Sequence, residues 1–541
     1  MSVSQSRFTN NSSQSRMSFM AIIGKNVIEN LTTAMYEDLR IIYREYVQNA
    51  ADSIDKAIKQ GLLRLEEARI EINIDANKRY VSVRDNGTGI SCDDFLRKMS
   101  RIADSEKDRA EDKGFRGIGR LGGISSCKTL KFSCSVRGEQ TASVCVWDAQ
   151  QVRDILVDEK QNPSAGELVD MVTTYSQDVC DIDEHFFLVE LIDIEQSSAE
   201  LLDKDNVQKY LEAVAPIPYA TGFTFKSKIA EFARQNGFTI DEYQVFINGE
   251  RLFKPYSRKL YEPHNHSKKA YDELSDVKFE IFKDTNGETI AWMWYGVSKF
   301  EKQIPAINPM RGIRLRKANI QIGNENTFSA HDFYKEPRGC LYFVGEVFAV
   351  GKNLIPNARR DYFNLNDTCR LFERTLRPLF YDTFYTIYHR ANEYKKALQK
   401  QSELQATQQE HEQRMASGGF IDAEDQAASE KKIEELKKAA ERAAKTIETR
   451  EQKEATDQVL GRVYSALRSD YAPSVDESGE ETPPQSKPCS EKPKGYMTQS
   501  LSKYNRKEQK LISRIYSILK AILPHDTAEI VISKIQEELS K

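Results

Sequence analysis

The segment from Arg44 to Asp52 places a carboxylate, an amide and a second carboxylate, those of Glu45, Asn49 and Asp52, at positions i, i+4 and i+7. In an α-helix these positions share one face, so the segment predicts a helix with a polar stripe. Carboxylate and amide oxygens suit Mg²⁺, and a carboxylate can orient a water molecule for attack on a phosphate. The solvated face of an amphipathic helix explains the same stripe when it is considered alone.

A second motif, Asp85-Asn86-Gly87-Thr88-Gly89-Ile90, follows two runs that predict a β-hairpin, 69–74 and 80–84. A carboxylate at a strand end can accept a hydrogen bond from the exocyclic amine of a base. Glycine at positions 87 and 89 lets a flat ring approach the backbone, because no Cβ blocks it. A simple Asp-Asn-Gly turn is the alternative interpretation.

The third motif is the glycine-rich run at 114–123, which includes Gly117, Ile118 and Gly119. Glycines before a helix start leave backbone N–H groups free to bind an anion, so the run predicts a phosphate cradle. It lacks the Gly-Lys-Ser/Thr ending of a P-loop and follows no strand of a βαβ unit, so neither the Walker nor the Rossmann pattern fits.

The three motifs in this order resemble the GHKL (Bergerat-fold) ATPases over roughly residues 30–195, and with the second domain the likeness is closest to the HtpG-type chaperone and MORC branch. The resemblance implies ATP and Mg²⁺ as ligands. It implies Glu45 as general base, Asn49 as magnesium ligand and Asp85 as adenine reader. It implies that Asp52, Gly87, Gly89 and Ile90 line the base and ribose, and that Gly117, Ile118 and Gly119 bind the phosphates. It also implies that residues 97–113 form an ATP lid, in which Ser105 and Lys107 contact phosphate.

Further along, Gly312–Arg316 and Leu354–Asp361 look like the transducer domain of that branch, in which a loop arginine reaches the γ-phosphate. Arg360 fits that position best, with Arg359 or Lys352 as substitutes. One departure concerns the Gly-Thr pair that usually precedes the last strand of the family's ATPase domain. Residues 184–188 lack this pair, and Thr173 or Thr174 is the alternative adenine contact.

The pattern along the chain predicts an α+β fold in six parts, of which the resemblance implies the ATPase and transducer identities. They are a disordered N-terminus (1–18), a Bergerat-type ATPase α/β sandwich (19–215), an α+β transducer-like domain (216–395), a long helical or coiled-coil-like segment (396–469), a disordered linker (470–495) and a small helical C-terminal unit (496–541). The ATPase unit includes one long helix over about 31–61. The coiled-coil reading rests on apolar residues at 3-4-3-4 spacing, Ile433, Leu436, Ala440, Ala443 and Ile447. A helical hairpin explains this spacing equally well.

Composition and charge limit the class of protein. No apolar run approaches the length of a membrane span and no export signal is visible, so we expect a cytoplasmic protein without a membrane partner. The eight cysteines form no C-x-x-C pattern, which favours reduced structural thiols. A net charge of -4 argues against a global grip on nucleic acid. The residues Arg311, Arg314, Arg316 and Lys317 nevertheless predict a local basic strand surface.

We therefore expect an ATP-hydrolysing protein that acts as an ATP-gated dimeric clamp and remodels a protein client in a chaperone-like way. The helical tail and the terminal unit would hold the homodimer together, although packing within one chain is an equal alternative for these helices. Two other functions stay open: a MORC-like clamp on nucleic acid, for which the basic strand is the evident surface, and an ATPase subunit of a prokaryotic defence complex.

Overall fold

The computed structural model of the chain describes residues 23–32, 38–102, 119–471, 496 and 503–540. Its helices are α1 Asn26–Thr32, α2 Ile41–Lys59, α3 Cys92–Ser100, α4 Ala149–Val157, α5 Ala165–Val172, α6 Lys204–Val214, α7 Lys226–Gln235, α8 Thr327–Ala330, α9 Asp367–Pro378, α10 Tyr385–Ser417, α11 Ala423–Lys453, α12 Gln458–Asp470, α13 Arg506–Ile522 and α14 His525–Ser540. Its strands are β1 Arg69–Asp75, β2 Tyr80–Asp85, β3 Cys127–Ser135, β4 Thr141–Asp148, β5 Thr173–Val179, β6 Phe186–Ile194, β7 Gln244–Ile247, β8 Glu250–Arg251, β9 Lys259–His264, β10 Ser267–Glu273, β11 Asp276–Lys283, β12 Thr289–Val297, β13 Gly312–Lys317, β14 Ile320–Ile322 and β15 Val344–Ala349.

The first domain is a mixed eight-stranded sheet in the order β5-β4-β3-β6-β2-β1-β7-β8. Helices α2, α4 and α6 share one hydrophobic core with it. The predicted hairpin of β1 and β2 is confirmed, with Ile70 opposite Asp85. The sheet extends beyond the boundary expected at residue 215, because β7 pairs in parallel with β1 and β8 pairs with β7. The sequence could not reveal this, since the two pairing segments are far apart along the chain.

The single helix expected over residues 31–61 is wrong at its start. The structure has the short helix α1 and the separate helix α2, which begins at Ile41. The N–H groups of Ile41, Ile42 and Tyr43 donate to the carbonyls of Asp38, Leu39 and Arg40, so a turn at 38–40 starts the helix. The C-terminal end agrees with the prediction, because Gly61 adopts the left-handed conformation just beyond the last turn, at φ 70°.

The second domain is built on a five-stranded sheet in the order β11-β12-β15-β13-β14. Residues 312–322 form the tight hairpin of β13 and β14. Its turn residues Ala318 and Asn319 both have positive φ, which reverses the chain between two strands. Beyond the sheet, α9 and the first turns of α10 complete a core that is rich in aromatic side chains.

The prediction of a basic strand surface on β13 is wrong. Arg316 is buried and pairs with the buried carboxylate of Glu346. Arg311 and Arg314 both pair with Glu325, and the ammonium of Lys317 donates to the carbonyl of Gly351. The strand lies inside the domain between β15 and β14, and its arginines are paired with carboxylates of the protein instead of forming an exposed basic face.

A fully buried ionic cluster replaces that surface. Lys254 and Arg316 flank Glu346, whose carboxylate also accepts from the hydroxyls of Tyr219 and Tyr256. The two cations hold the pKa of Glu346 down at about 2 against the opposing effect of burial. Burial and the neighbouring Arg316 lower the pKa of Lys254 to about 7. These hydrogen bonds fix the hairpin end of β13 in the domain interior.

Helices α10 and α11 form an antiparallel hairpin, and α12 returns along α10. The apolar seam of Leu436, Ala440, Ala443 and Ile447 is buried in this arrangement. Packing within one chain, the alternative to a coiled coil between protomers, thus accounts for the heptad spacing. The small helical unit predicted at 496–541 contains α13 and α14, whose Tyr516 and Ile532 pack on Ile421 in the turn between α10 and α11.

Two further observations concern composition. Within the described ranges, no helix is both long enough and apolar enough to cross a membrane. The cysteines in these ranges are free thiols, and several are buried. Burial raises the pKa of Cys127 and that of Cys134 to about 12, so both thiols stay protonated at neutral pH.

The segments 1–18 and 472–495, expected to be disordered, lie outside the described residues.

Candidate nucleotide site

The polar stripe of α2 is not a solvated helix face. Glu45 is 8% exposed and Asp52 is 4% exposed, while Asn49 is half-buried between them. Burying carboxylates is unfavourable unless other groups compensate for the lost water, so this stripe is not explained by amphipathicity alone. The apolar face of the same helix, including Val47, Ala50 and Ile54, enters the core of the first domain. The stripe is therefore a wall of an interior site.

The Asp85 motif lies against the C-terminal half of α2. A Cβ on Gly87 would come within 2.1 Å of the Ser53 hydroxyl oxygen, and the N–H of Thr88 donates to the carbonyl of Ser53. Asp85 is buried and accepts a hydrogen bond from the N–H of Gly87 at 2.9 Å. The motif is thus a turn, as its composition indicated, but a turn fixed against the acidic helix.

Gly89 and Ile90 continue this turn. Gly89 has φ 67°, and a Cβ there would lie 2.0 Å from the carbonyl oxygen of Ser135. Both the backbone conformation and the space therefore require glycine. Ile90 is half-buried at the edge of the first core. Gly89 thus brings the turn close to the end of β3.

The glycine-rich run approaches the N-terminal half of α2. Residues 119–125 form a 3₁₀ helix, and a Cβ on Gly119 would lie 2.5 Å from Oε2 of Glu45. The hydroxyl of Tyr46 accepts from the N–H of Gly123 at 3.2 Å and donates to the carbonyl of Arg120 at 3.1 Å. Gly117, Ile118, Ser105 and Lys107 lie outside the described residues, as does most of the expected lid.

The guanidinium of Arg120 connects this 3₁₀ helix with the beginning of the lid segment. It donates to the carbonyls of Met99 and Arg101 at the C-terminal end of α3. Burial lowers the pKa of Arg120, as expected for a cation removed from water. The carbonyl oxygens at the C-terminal end of α3 compensate for that burial, since they carry negative partial charge.

The two glycine turns therefore contact opposite halves of α2. Gly119 meets Glu45 and Gly87 meets Ser53, eight positions later. At a rise of about 1.5 Å per residue, these contacts are roughly 12 Å apart along the helix. The arrangement suits an elongated ligand with a flat end near Asp85 and an anionic end near Gly119.

The second domain reaches the same end of the site through Arg360. Its Nε lies 2.8 Å from Oε1 of Glu45, and both side chains are buried. Arg44 lies 4.0 Å from the same carboxylate. Arg359 and Lys352, the two substitutes considered from sequence, are exposed. Arg360 also has φ 55°, an unfavourable conformation for a residue with a Cβ, so the surrounding structure holds it in this position.

The two threonines suggested for the adenine contact are too distant. Thr173 and Thr174 pair with Trp147 and Val146 on the edge strand β5. In the sheet order, β5 lies four strands from β2, which corresponds to roughly 19 Å at the usual strand separation. That suggestion is therefore wrong. Phe187 of β6 lies directly opposite Asp85.

Two residues near Asp85, at the end of the site proposed for the base (the base end), were not predicted from the sequence. The ring Nδ1 of His185 lies 2.7 Å from the carbonyl oxygen of Gly87, and Ser53 supports the same turn from α2. Ser53 follows Asp52 directly and lies beside the Asn49 stripe, so helical periodicity could have suggested it. His185 lies just before β6, and no local pattern connects it with residue 87.

Together, the mixed sheet, the buried acidic helix and the two glycine turns define an α/β sandwich with a candidate nucleotide site. Comparison with known proteins identifies the type of sandwich. Residues 36–178 match the family model described as "Histidine kinase-, DNA gyrase B-, and HSP90-like ATPase". This part of the chain therefore resembles the GHKL ATPases, as the three motifs indicated, and the fold is α+β as expected.

Several relatives that it matches carry the name of a chaperone. The chain is 34% identical over 111 residues to "Chaperone protein HtpG" of Anaplasma marginale (strain St. Maries), a match over 19% of this chain and 17% of the relative. The HtpG of Gluconobacter oxydans (strain 621H) is 35% identical over 92 residues, covering 16% of this chain and 15% of the relative. The HtpG of Paraburkholderia xenovorans (strain LB400) is 25% identical over 172 residues, covering 28% and 27%. The matches thus span about a quarter or less of each relative, and the likeness to HtpG is confined to that part.

Proposed function

We propose that the chain binds ATP between α2 and the two glycine turns and hydrolyses it. The observation that carries this proposal is the convergence of Glu45, Gly119 and Arg360 at one end of a buried polar stripe. Glu45 orients and deprotonates the attacking water, and Arg360 binds the γ-phosphate oxygens with its planar fork. Asp85 accepts a hydrogen bond from the adenine amine at the other end.

The donor set of the stripe fits a magnesium ion. Its groups are carboxylate and amide oxygens, which this hard cation prefers, and Asn49 lies between Glu45 and Asp52. In the proposal, Asn49 supplies the protein ligand. The ion, when bound, neutralises phosphate charge during cleavage. Gly119 keeps its backbone close to Glu45, so that the phosphate end is narrow and excludes bulk water.

The contact between Glu45 and Arg360 suggests how ATP could act as a gate. Each group is the other's partner at 2.8 Å, and a γ-phosphate would compete for the arginine. The loop of Arg360 leads within a few residues into α9 and then into α10, so a change at the loop reaches the helical hairpin. We propose that this shift drives an ATP-gated clamp of two protomers, which remodels a protein client as the likeness to HtpG suggests.

Calorimetric titration of the purified chain with Mg-ATP tests the binding, and phosphate release tests the hydrolysis. We expect saturable heat with ATP. Absence of heat with ATP and with ADP would remove the proposal.

The clamp is tested separately by small-angle scattering and light scattering of the Glu45→Gln protein, with and without ATP. We expect a smaller radius of gyration per protomer, or a shift to a dimer, only with ATP. ATP binding without either change would retain the nucleotide site but reject the clamp.

A further inference from the structure

Helix α9 presents three arginines on one exposed face. Three apolar side chains on its other face enter the second core. Arg370, Arg374 and Arg377 occupy positions i, i+4 and i+7 and are all exposed. At about 1.5 Å per residue, the stripe is roughly 10 Å long.

These arginines differ from those of β13, which are paired with carboxylates. In the part of the chain that the structure describes, Arg370, Arg374 and Arg377 form neither an ion pair nor a side-chain hydrogen bond. Arg314 and Arg316, by contrast, have Glu325 and Glu346 as partners. The stripe on α9 thus keeps its charge and its hydrogen-bond donors available to solvent.

The stripe borders a concavity of about 550 Å³. The three arginines line it together with Pro378 and Tyr381, and two carboxylates, of Glu373 and Asp382, also line it. The concavity therefore has one positive charge in excess.

The position of Tyr381 has a local cause. Pro378 has no N–H to donate to the carbonyl of Arg374 one turn earlier, and its ring crowds that carbonyl. The chain continues as a wider π-helical turn over Leu379–Phe384, a feature often found at functional sites. Tyr381 is 39% exposed and lies four positions after Arg377, at the end of the arginine stripe.

We propose that this face of α9 binds the phosphate backbone of a single-stranded nucleic acid. Guanidinium forks bind phosphate oxygens in a bidentate way. The three guanidiniums lie along roughly 10 Å of helix, so they can contact neighbouring phosphates of one extended strand. Tyr381 and Pro378 offer a flat platform on which an unstacked base can lie, which a duplex does not present. None of these residues belongs to the proposed ATP site, so the inference goes beyond that function.

The test measures binding of a short fluorescent oligothymidine to the full chain without nucleotide, by anisotropy at several salt concentrations. The triple variant Arg370→Gln, Arg374→Gln and Arg377→Gln removes the stripe and keeps the buried face of α9. A control with the same charge change is Lys431→Gln, Lys432→Gln and Lys437→Gln on the exposed side of α11. Thermal melting checks that each variant folds, and the single Arg374→Gln replaces the triple variant if the triple fails to fold.

We expect the logarithm of the binding constant of the wild type and the control to fall with the logarithm of salt concentration. At about 0.7 per phosphate contact, the triple variant should lose about two units of that slope. Tyr381→Ala should weaken binding about tenfold. Absence of binding by the wild type, equal loss in the control, or tighter binding of the matching duplex would overturn the proposal. So would full competition by inorganic polyphosphate combined with no effect of Tyr381→Ala.

Discussion

Arg360 of the second domain forms a buried ion pair with Glu45 of α2, at 2.8 Å between Nε and Oε1. These residues are far apart in the sequence, since Glu45 lies on α2 and Arg360 lies in the loop between β15 and α9. The pair places the proposed phosphate-binding arginine beside the proposed general base, so the second domain meets the first at the proposed phosphate end of the site. The positive φ of Arg360 shows that the loop is held in an unfavourable conformation, as is common where a loop switches between arrangements.

Glu45→Gln should abolish turnover and retain ATP binding. The amide can still accept a hydrogen bond from Arg360, but it cannot accept a proton from water. We expect kcat to fall roughly 100- to 10,000-fold, with the dissociation constant changed only a few-fold. Phosphate release and calorimetry measure the two quantities, and the exposed Glu66→Gln is the control. A parallel loss of affinity would assign Glu45 to binding instead.

Asp85→Asn should weaken ATP binding itself. The asparagine oxygen can keep the hydrogen bond from the N–H of Gly87, but the adenine amine loses a charged acceptor. A charged hydrogen bond is stronger than a neutral one, so we expect the dissociation constant to rise roughly 10- to 100-fold. Calorimetry with ATP and with ADP should give the same factor, because the change lies at the base end. Unchanged affinity for both nucleotides would reject the role given to Asp85.

Arg360→Lys should slow hydrolysis and leave nucleotide affinity near normal. Lysine keeps the charge but has no planar fork for two phosphate oxygens, so we expect kcat to fall roughly tenfold or more. The control is Arg359→Lys, an identical change at the exposed neighbouring position. If Arg359→Lys is the slower enzyme, the phosphate sensor is Arg359.

Gly119→Ala should disturb catalysis more than stability. The new methyl group would lie 2.5 Å from Oε2 of Glu45, so the carboxylate must move. A displacement of about 1 Å in an active site can reduce the rate about 100-fold. Gly166→Ala is the control, because nothing lies within 4 Å of a Cβ built there. Steady-state rates and melting temperatures separate the two effects; a wild-type kcat for Gly119→Ala would mean that Glu45 tolerates the shift.

Asp272→Asn should change how stability depends on pH. Burial raises the pKa of Asp272 to about 7, from an ordinary value of about 4 in an unfolded chain. The folded state then binds more protons than the unfolded state between about pH 4 and pH 7. Stability due to this group therefore falls as pH rises through that window, by at most about 1.4 kcal/mol per pH unit.

In Asp272→Asn the titration is absent, so we expect a flatter profile of unfolding free energy in that window and a gain relative to wild type above pH 7. Urea unfolding at several pH values measures it. The exposed Asp183→Asn should keep the wild-type slope. An identical slope in both variants would mean that Asp272 is ionised throughout.

Local motifs predicted much of the first domain correctly. The β1–β2 hairpin follows from alternating side chains, and the positions of Asp85 and Gly89 follow from turn chemistry. Such features depend on neighbours along the chain, which is why they can be read without a structure. The family likeness came from the order of the same motifs and was confirmed over residues 36–178.

Long-range pairing decided the remainder. Three features depend on segments that meet only in three dimensions. They are the buried ion pair of Arg316 with Glu346, the distance of Thr173 from Asp85, and the pairing of β7 with the first sheet. A basic strand has the same sequence pattern whether its cations face solvent or a buried carboxylate. The sequence by itself determined the polar stripe and the glycine turns, because helical and turn periodicity are local. Only the tertiary structure brought Arg360 to Glu45, because the free energy of that contact depends on how the two domains pack together.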